Sequence, residues 1–458
     1  MAVSNNSKKK KHTARKPVNM YLLIAFVFFG IILFGTALLC LPFSSRDGNS
    51  CGFITALFTA TSSTCVTGLV LADTWTQWSG FGQVVILCLI ETGGLGFMSI
   101  ASTMFFVFKK RITMNERSAI ALTVGADDQS EAERLQKKML AFSFGAQGLG
   151  AVLLTVRFLS DFGLKKSVQL GIFHSVSAFC NAGFDILGFK TPGASVELYG
   201  TDTAVVAVLS FLIIFGGLGF VVWDEIFQVK SPKKSSVYTK LVIITTTVLL
   251  LSGTLLICLA EWNNPLTLGE MTFFEKIKAG FFQSVTVRTA GFAGINQEYM
   301  TEAGKAVSMF LMLIGGSSGS TAGGLKTVTF VVIMLFLYSS FKGRENVNIF
   351  HRTISKSNAL NALTIFGIMV SLAFFGAFFI CITSPVSFTN ALYESVSALA
   401  TVGLTAGATP LLSLPAKLLI IIYMYFGRVG ILTISLGFFR SKNTKEHFRY
   451  ANTDLMIG

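Results

Sequence analysis

The chain has 458 residues, 52% hydrophobic and 13% charged, with a mean hydropathy of +0.65 and a formal net charge of +14. This composition excludes a large soluble protein and describes an integral membrane protein. In such a chain an excess of Lys and Arg sets topology rather than binding nucleic acid, so the bilayer is a partner and nucleic acid is not.

In chain order, one unit is written four times: long apolar helix, short half-apolar helix, glycine turn, second apolar helix. A basic tail, residues 1–17, comes first and reads as cytoplasmic. Repeat 1 (18–111) opens with the charge-free run Met20–Leu41, long enough to span. The segment Gly52–Ser63 is too short to span and leads into TCVTGL at Thr64–Leu69. The second run, Phe81–Phe108, is interrupted by Glu91 and by GGLGF at Gly93–Phe97, and Lys109, Lys110 and Arg111 close it. Residues 112–138 form a charged, amphipathic linker expected to be helical and cytoplasmic.

Repeat 2 (139–229) has Met139–Leu159, the short helix Val168–Phe179, CNAGF at Cys180–Phe184, and Val205–Val222 with a second GGLGF at Gly216–Phe220. A cytoplasmic loop, 230–240, follows. Repeat 3 (241–341) has Leu241–Ala260, Phe273–Val285, TVRTAGF at Thr286–Phe292, and then a helix broken at its centre. After the basic loop 342–358, repeat 4 (359–458) has Leu363–Ile382, Phe388–Leu399, ATVGL at Ala400–Leu404, Ala416–Phe439 with GRVG at Gly427–Gly430, and a short tail.

The glycines Gly68, Gly183, Gly291 and Gly403 recur at intervals of 115, 108 and 112 residues, which indicates repeated architecture. The short helices agree in detail, with FHSVSAF from Phe173, FQSVTV from Phe282 and YESVSAL from Tyr393. FTATSST from Phe58 is the outlier, and the third unit is one residue shorter from its Ser-Val pair to its glycine. The basic segments place both termini in the cytoplasm, with eight spans and four re-entrant outer loops. Lys165 and Lys166 then fall outside, against the rule.

The break at Gly315–Lys326 reads GGSSGSTAGGLK, with five glycines and three serines. Glycine costs about 1 kcal/mol per helical position, so this stretch unwinds. Unwound backbone at membrane depth must line water or be buried in protein. The spacing Gly319-x4-Gly324-Leu-Lys326-Thr327 imitates a phosphate-binding loop, but it has one residue too many and no preceding strand. The seven cysteines and four histidines form no metal-ligand spacing and no catalytic constellation, so no enzyme, covalent cofactor or metal centre is expected.

A short helix that ends inside the membrane aims the negative end of its dipole at the centre. Four such ends attract a cation, and a ring of backbone carbonyls replaces its hydration shell. The expected ion-binding residues are Val66, Thr67 and Gly68; Asn181, Ala182 and Gly183; Thr289, Ala290 and Gly291; and Thr401, Val402 and Gly403. Among the charges, Arg428 aligns with Gly94, Gly217 and Gly316 and either bonds the broken loop or pairs with Glu91. Lys326 either faces the inner cavity or snorkels to the cytoplasm. Arg288 braces the filter. Glu394 and Asp185 either set the charge of the outer mouth or serve as hydrogen-bonding caps. A secondary transporter with broken helices is the alternative, and it predicts corresponding half-helices in two halves rather than four like units.

Together AFCNAGF, TVRTAGF, GGSSGSTAGGLKT and GRVG resemble the Trk/Ktr/HKT superfamily of potassium transporters over roughly residues 18–458, most closely the bacterial KtrB-type membrane subunit. The resemblance implies an all-α membrane fold of four pseudo-repeats around one pore, working as a homodimer in the bacterial cell membrane. It implies K+ as the transported ion, with Na+ admitted as an activator. It also implies a cytoplasmic regulatory ring of the KtrA type that carries the nucleotides. A gating loop below the filter would comprise Gly315, Gly316, Ser317, Ser318, Gly319, Ser320, Thr321, Ala322, Gly323, Gly324 and Lys326, joined by Arg428. In plant relatives a serine at the first filter position goes with sodium permeation, so Gly68 favours potassium.

Overall fold

The computed structural model describes residues 20–96, 129–229, 234–344, 346–350 and 352–430. The basic tail, the KKR cluster, the linker as far as residue 128, residues 230–233 and the last stretch from residue 431 lie outside these. The first unit contains α1 (Met20–Leu39), α2 (Phe53–Thr64), the single turn α3 (Thr74–Gln77) and α4 (Gly80–Leu95). The second contains α5 (Gln129–Phe162), α6 (Leu164–Phe179), α7 (Thr203–Leu218) and α8 (Phe220–Gln228). The third contains α9 (Val237–Glu261), α10 (Phe273–Thr286), α11 (Glu302–Leu313) and α12 (Thr327–Phe341). The fourth contains α13 (Lys356–Thr383), α14 (Phe388–Leu399) and α15 (Leu414–Val429).

Among the described residues the expected all-helical fold has one departure. The loop after α12 carries an antiparallel hairpin of β1 (Val347–Ile349) and β2 (Arg352–Ile354), with Asn348 opposite Thr353. The helix starts are set by side chains that accept orphan backbone N–H groups. Ser79, Asp202, Thr301 and Ser413 cap α4, α7, α11 and α15, the second apolar helix of each unit. Thr272 and Glu275 form a reciprocal capping box on α10.

Two expectations about the apolar helices change. α5 begins ten residues before Met139, inside the stretch read as linker. The second apolar helix of each unit ends at or beside its glycine mark. α4 stops at Gly96 (φ 82°), α7 at Gly219 (φ 87°) and α15 at Gly430 (φ 91°), while α11 gives way at Ile314. These φ values suit glycine and strain other residues. α7 and α8 meet at a bend of 94°. The parts of the runs read as Phe81–Phe108 and Ala416–Phe439 that follow Gly96 and Gly430 lie outside the described residues. Among the described residues, three helices are individually long and apolar enough to cross a bilayer, and the bent pair makes a fourth.

Three of the four glycine marks exist because a short helix from the same unit sits on them, while Gly315 of the third unit is crowded by the Gly323 carbonyl of its own loop. A Cβ on Gly93 would collide with the carbonyl of Thr64, one on Gly216 with that of Phe179, and one on Gly427 with that of Leu399. Those three residues end α2, α6 and α14. Two buried apolar clusters flank this centre. One is drawn mainly from the first two units, around Ile86, Phe158, Phe179 and Leu212, and the other mainly from the last two, around Ile257, Met312, Tyr393 and Met424. The outer surface exposes Phe26, Phe34, Val156, Leu255, Phe378 and Ile382, as a lipid-facing surface requires. Lys166, an exception to the expected topology, lies 3.1 Å over the Phe189 ring and 5.1 Å from that of Trp75, which gives this cation aromatic partners.

A candidate ion-conducting site

α2, α6, α10 and α14 all end at one place, and the turn after each has the same backbone form. Val66, Asn181, Thr289 and Thr401 have φ of 55°, 59°, 69° and 52°, in the left-handed region. Two residues later stand Gly68, Gly183, Gly291 and Gly403, with φ of 98°, 66°, 81° and 97°. The glycines touch in cyclic order. A Cβ on Gly68 would lie 2.5 Å from the Ala182 carbonyl oxygen, and one on Gly183 2.7 Å from that of Ala290. One on Gly291 would strike the Val402 carbonyl, and one on Gly403 that of Thr67, which closes the ring. All twelve residues expected in the filter lie in these four turns.

The third turn reaches the ring by a different route. α10 is capped at Val287, and Arg288 then intervenes before the left-handed Thr289, whereas Cys65, Cys180 and Ala400 adjoin their left-handed residues directly. The missing helical residue is offset by this early exit, so Gly291 keeps its place between Gly183 and Gly403.

Hydroxyls on the short helices fix the turns. Ser62 Oγ accepts from Gly68 N–H and Ser397 Oγ from Gly403 N–H, each at 3.0 Å. In the other two turns the hydroxyl donates onward, Ser177 to Phe184 O at 2.7 Å and Thr286 to Phe292 O at 2.8 Å. The aligned SVS and SVT triplets of units two to four carry three of these hydroxyls, a signal visible in the sequence. The hydroxyls of Thr67, Thr289 and Thr401 are buried without a protein partner. Carbonyls and free hydroxyls around four converging helix C-termini suit a partly dehydrated cation and repel an anion.

On one side of the ring is an open cavity of about 290 Å³, lined by all four glycines and by Asp73, Asp185, Glu197 and Glu298. Asp185 faces this mouth and accepts from Leu187 N–H at 3.1 Å, so it both caps and supplies charge. Glu394 is buried away from it, accepting from Thr405 Oγ1 at 2.7 Å and from Thr409 Oγ1, and is a cap only. Asp73, Glu197 and Glu298 were not singled out from sequence, since only tertiary structure gathers them. Burial pushes the Glu197 carboxyl up to about 7, offset in part by a bond from Asn296.

On the other side lies the 315–326 loop. Ile314 and Leu325 form a parallel bridge at its neck, with Gly315 N–H donating to Leu325 O at 2.9 Å. Its body is held in the bend between α7 and α8. Ser317 N–H donates to Gly217 O (3.0 Å), Thr321 N–H to Gly216 O (3.2 Å), and Phe220 N–H to Gly319 O (3.1 Å). Ser317 Oγ also donates to Leu218 O, and Thr321 Oγ1 donates to Phe179 O at 3.1 Å. Gly323 rests against Thr401 and Ala400 of the fourth turn, and Gly315 against Thr289 of the third.

Arg428 completes the enclosure. Its guanidinium donates to Thr321 O of the loop, and to Gly93 O and Gly94 O (3.1 Å) of α4. A pair with Glu91 is not formed. The Glu91 carboxylate instead accepts from Gln147 Nε2 at 3.0 Å and from the Cys180 thiol at 3.3 Å. Arg288 braces the loop rather than the ring, donating to Gly315 O at 3.0 Å. The Lys326 ammonium donates to Ala322 O at 2.7 Å and ties the loop to itself.

Residues 6–449 match the family described as TrkH, cation transport protein. The chain is 42% identical over 453 residues to the potassium/sodium uptake protein NtpJ of Enterococcus hirae, covering 98% of this chain and 99% of that one. It is 36% identical to the Ktr system potassium uptake protein B of Bacillus subtilis, covering 95% and 96% of the two chains. The crystal structure of the potassium transporter TrkH from Vibrio parahaemolyticus superposes with a TM-score of 0.70 at 17% identity, over 94% of this chain and 86% of that one, and shows the same fold.

Proposed function

The chain belongs to the TrkH family of cation transport proteins, and from that premise we propose that it is the ion-translocating membrane subunit of a bacterial potassium uptake system of the Ktr type. It is a transport protein and not an enzyme. The observation that carries the potassium reading is the closed ring of Gly68, Gly183, Gly291 and Gly403, with the Thr67, Ala182, Ala290 and Val402 carbonyls beside it. K+ enters from the acidic mouth, is stripped of water at the ring, and leaves past the 315–326 loop. The membrane potential drives it inward, about 2.3 kcal/mol per 100 mV for one charge. No ATP site on this chain is needed.

In this reading the 315–326 loop is the gate and Arg428 its latch. The subunit works as a homodimer, with both termini in the cytoplasm, under a nucleotide-binding ring of the KtrA type, and sodium stimulates transport. Support comes from the loop's place across the path, held by bonds from the second, third and fourth units and linked through Arg428 to the first.

The test is rubidium and sodium uptake into proteoliposomes, first with this chain alone and then with a regulatory ring and nucleotide. Rubidium uptake that exceeds sodium uptake and changes with the ring is expected. Uptake that requires stoichiometric movement of a second solute would overturn the channel-like reading.

A further inference from the structure

Away from the conduction path, α4, α5 and α6 enclose a cavity of about 360 Å³ that opens on the lipid-facing surface. Its walls are apolar: Leu87, Phe144, Ala151, Ile172 and Val176. Phe144 and Ile172 are exposed at its mouth, 55% and 43% respectively. Its floor is a single carboxylate, Glu91, beside Gln147. None of the ion pairs among the described residues includes Glu91, whose acceptor oxygens are met only by the Gln147 amide and the Cys180 thiol.

A carboxylate inside the membrane is costly unless something satisfies it, and by default it marks a functional site. A neutral amide and a thiol are weak partners for it. The complement that the walls and floor define together is an alkyl chain ending in one cationic nitrogen. The volume falls in the range of small-molecule sites, and the opening faces the phase in which such amphiphiles dissolve. A phospholipid headgroup does not fit the same description. Glu91 lies one helical turn or less from Gly93, which seats the end of α2 at the level of the ring, far from either headgroup layer.

We propose that this groove is a lateral binding site for lipophilic monoalkylammonium cations, anchored by Glu91. The site is coupled to conduction through Cys180, which caps α6 immediately before Asn181–Gly183. An ammonium that takes the carboxylate withdraws the acceptor from the Cys180 thiol and slackens the second turn of the ring, so bound amphiphile lowers rubidium uptake.

Binding can be read without transport. In the Phe144→Trp variant of the full chain in proteoliposomes, 8-bromooctylammonium should quench the added indole at a concentration at least fivefold below that of 8-bromooctanol. Glu91→Gln in the same background should remove that difference while leaving quenching by the alcohol in place. Ala151→Phe, which fills the groove without touching Glu91, should weaken both quenchers. It also keeps the test open if Glu91→Gln does not fold. Equal potency of ammonium and alcohol in the parent, or a preference that survives Glu91→Gln, would overturn the site. Because the readout is fluorescence, failure here is separable from failure of the transport reading.

Discussion

Arg428 stands where the other three units have glycine, and it converts a packing position into a link. Three backbone carbonyls from two different units converge on its guanidinium. A planar group with five donors suits this, whereas lysine could not span both partners. Hydrogen bonds to a charged group are worth about 1.5–3 kcal/mol each, and about 1.4 kcal/mol is tenfold in an equilibrium. Arg428→Ala should therefore raise rubidium uptake by the chain without its regulatory ring by about tenfold or more. Unchanged uptake in a variant that elutes and melts like the parent would remove Arg428 from the gate. At the other mouth, Glu197 shares the cavity with Asp73, Asp185 and Glu298. Its carboxyl is raised to about 7, so it is neutral below that pH and anionic above it. The mouth gains negative charge as pH rises through 7, and cations concentrate there. Uptake at subsaturating rubidium should rise about twofold between pH 6 and pH 8, an effect of the order expected for one charge in a focusing cleft. Burial also pushes the Asp185 carboxyl of this mouth up to about 6, so Glu197→Gln should diminish the rise rather than abolish it, and an undiminished rise in that variant would place the titration elsewhere.

At the scale of the element, the governing contact is a short helix ending on a glycine of the long helix that follows it. The carbonyls at the ends of α2, α6 and α14 lie where the side chains of Gly93, Gly216 and Gly427 would be. The same helices have their left-handed turn just downstream, so the three-residue approach to the ring is fixed by backbone against backbone. Gly427→Ala puts a methyl group onto the Leu399 carbonyl, and backbone cannot rotate away as a side chain can. Overpacking of this kind costs about 1–3 kcal/mol. A thermal midpoint several degrees lower and a loss of rubidium selectivity are expected. Gly367→Ala in α13, with nothing near its added methyl, is the control and should be neutral or slightly stabilising. Equal behaviour of the two variants would contradict the seating.

At the scale of the whole molecule, each ring glycine is sheltered by its neighbour's carbonyl, so no unit holds a complete site. The 315–326 loop likewise belongs to the third unit but bonds mainly to the second. The four short helices, the ring glycines and the broken helix were legible in the sequence because each has a local cause. Apolar length, helix-breaking composition and glycine at a left-handed angle are written residue by residue. The helix ends at Gly96, Gly219 and Gly430 were harder to fix, since GGLGF and GRVG mark a weak point in an apolar run without saying which glycine takes the left-handed angle. The third turn's one-residue deficit left its register open until Arg288 was seen to stand between helix end and turn.

The sequence by itself determined a membrane-embedded helical chain, four glycine turns at near-regular spacing and an unwound segment that lipid cannot satisfy. Those conclusions need only hydropathy, periodicity and the conformational range of glycine. Tertiary structure alone decided which carbonyl meets which glycine, that Arg428 joins the loop to α4 rather than to Glu91, that Glu394 is a cap while Asp185 faces the mouth, and that Glu91 floors a lipid-side groove. The physical reason is the same in each case. A charged side chain inside a membrane must find a partner, and the partner it finds is set by packing between units that lie far apart in the chain.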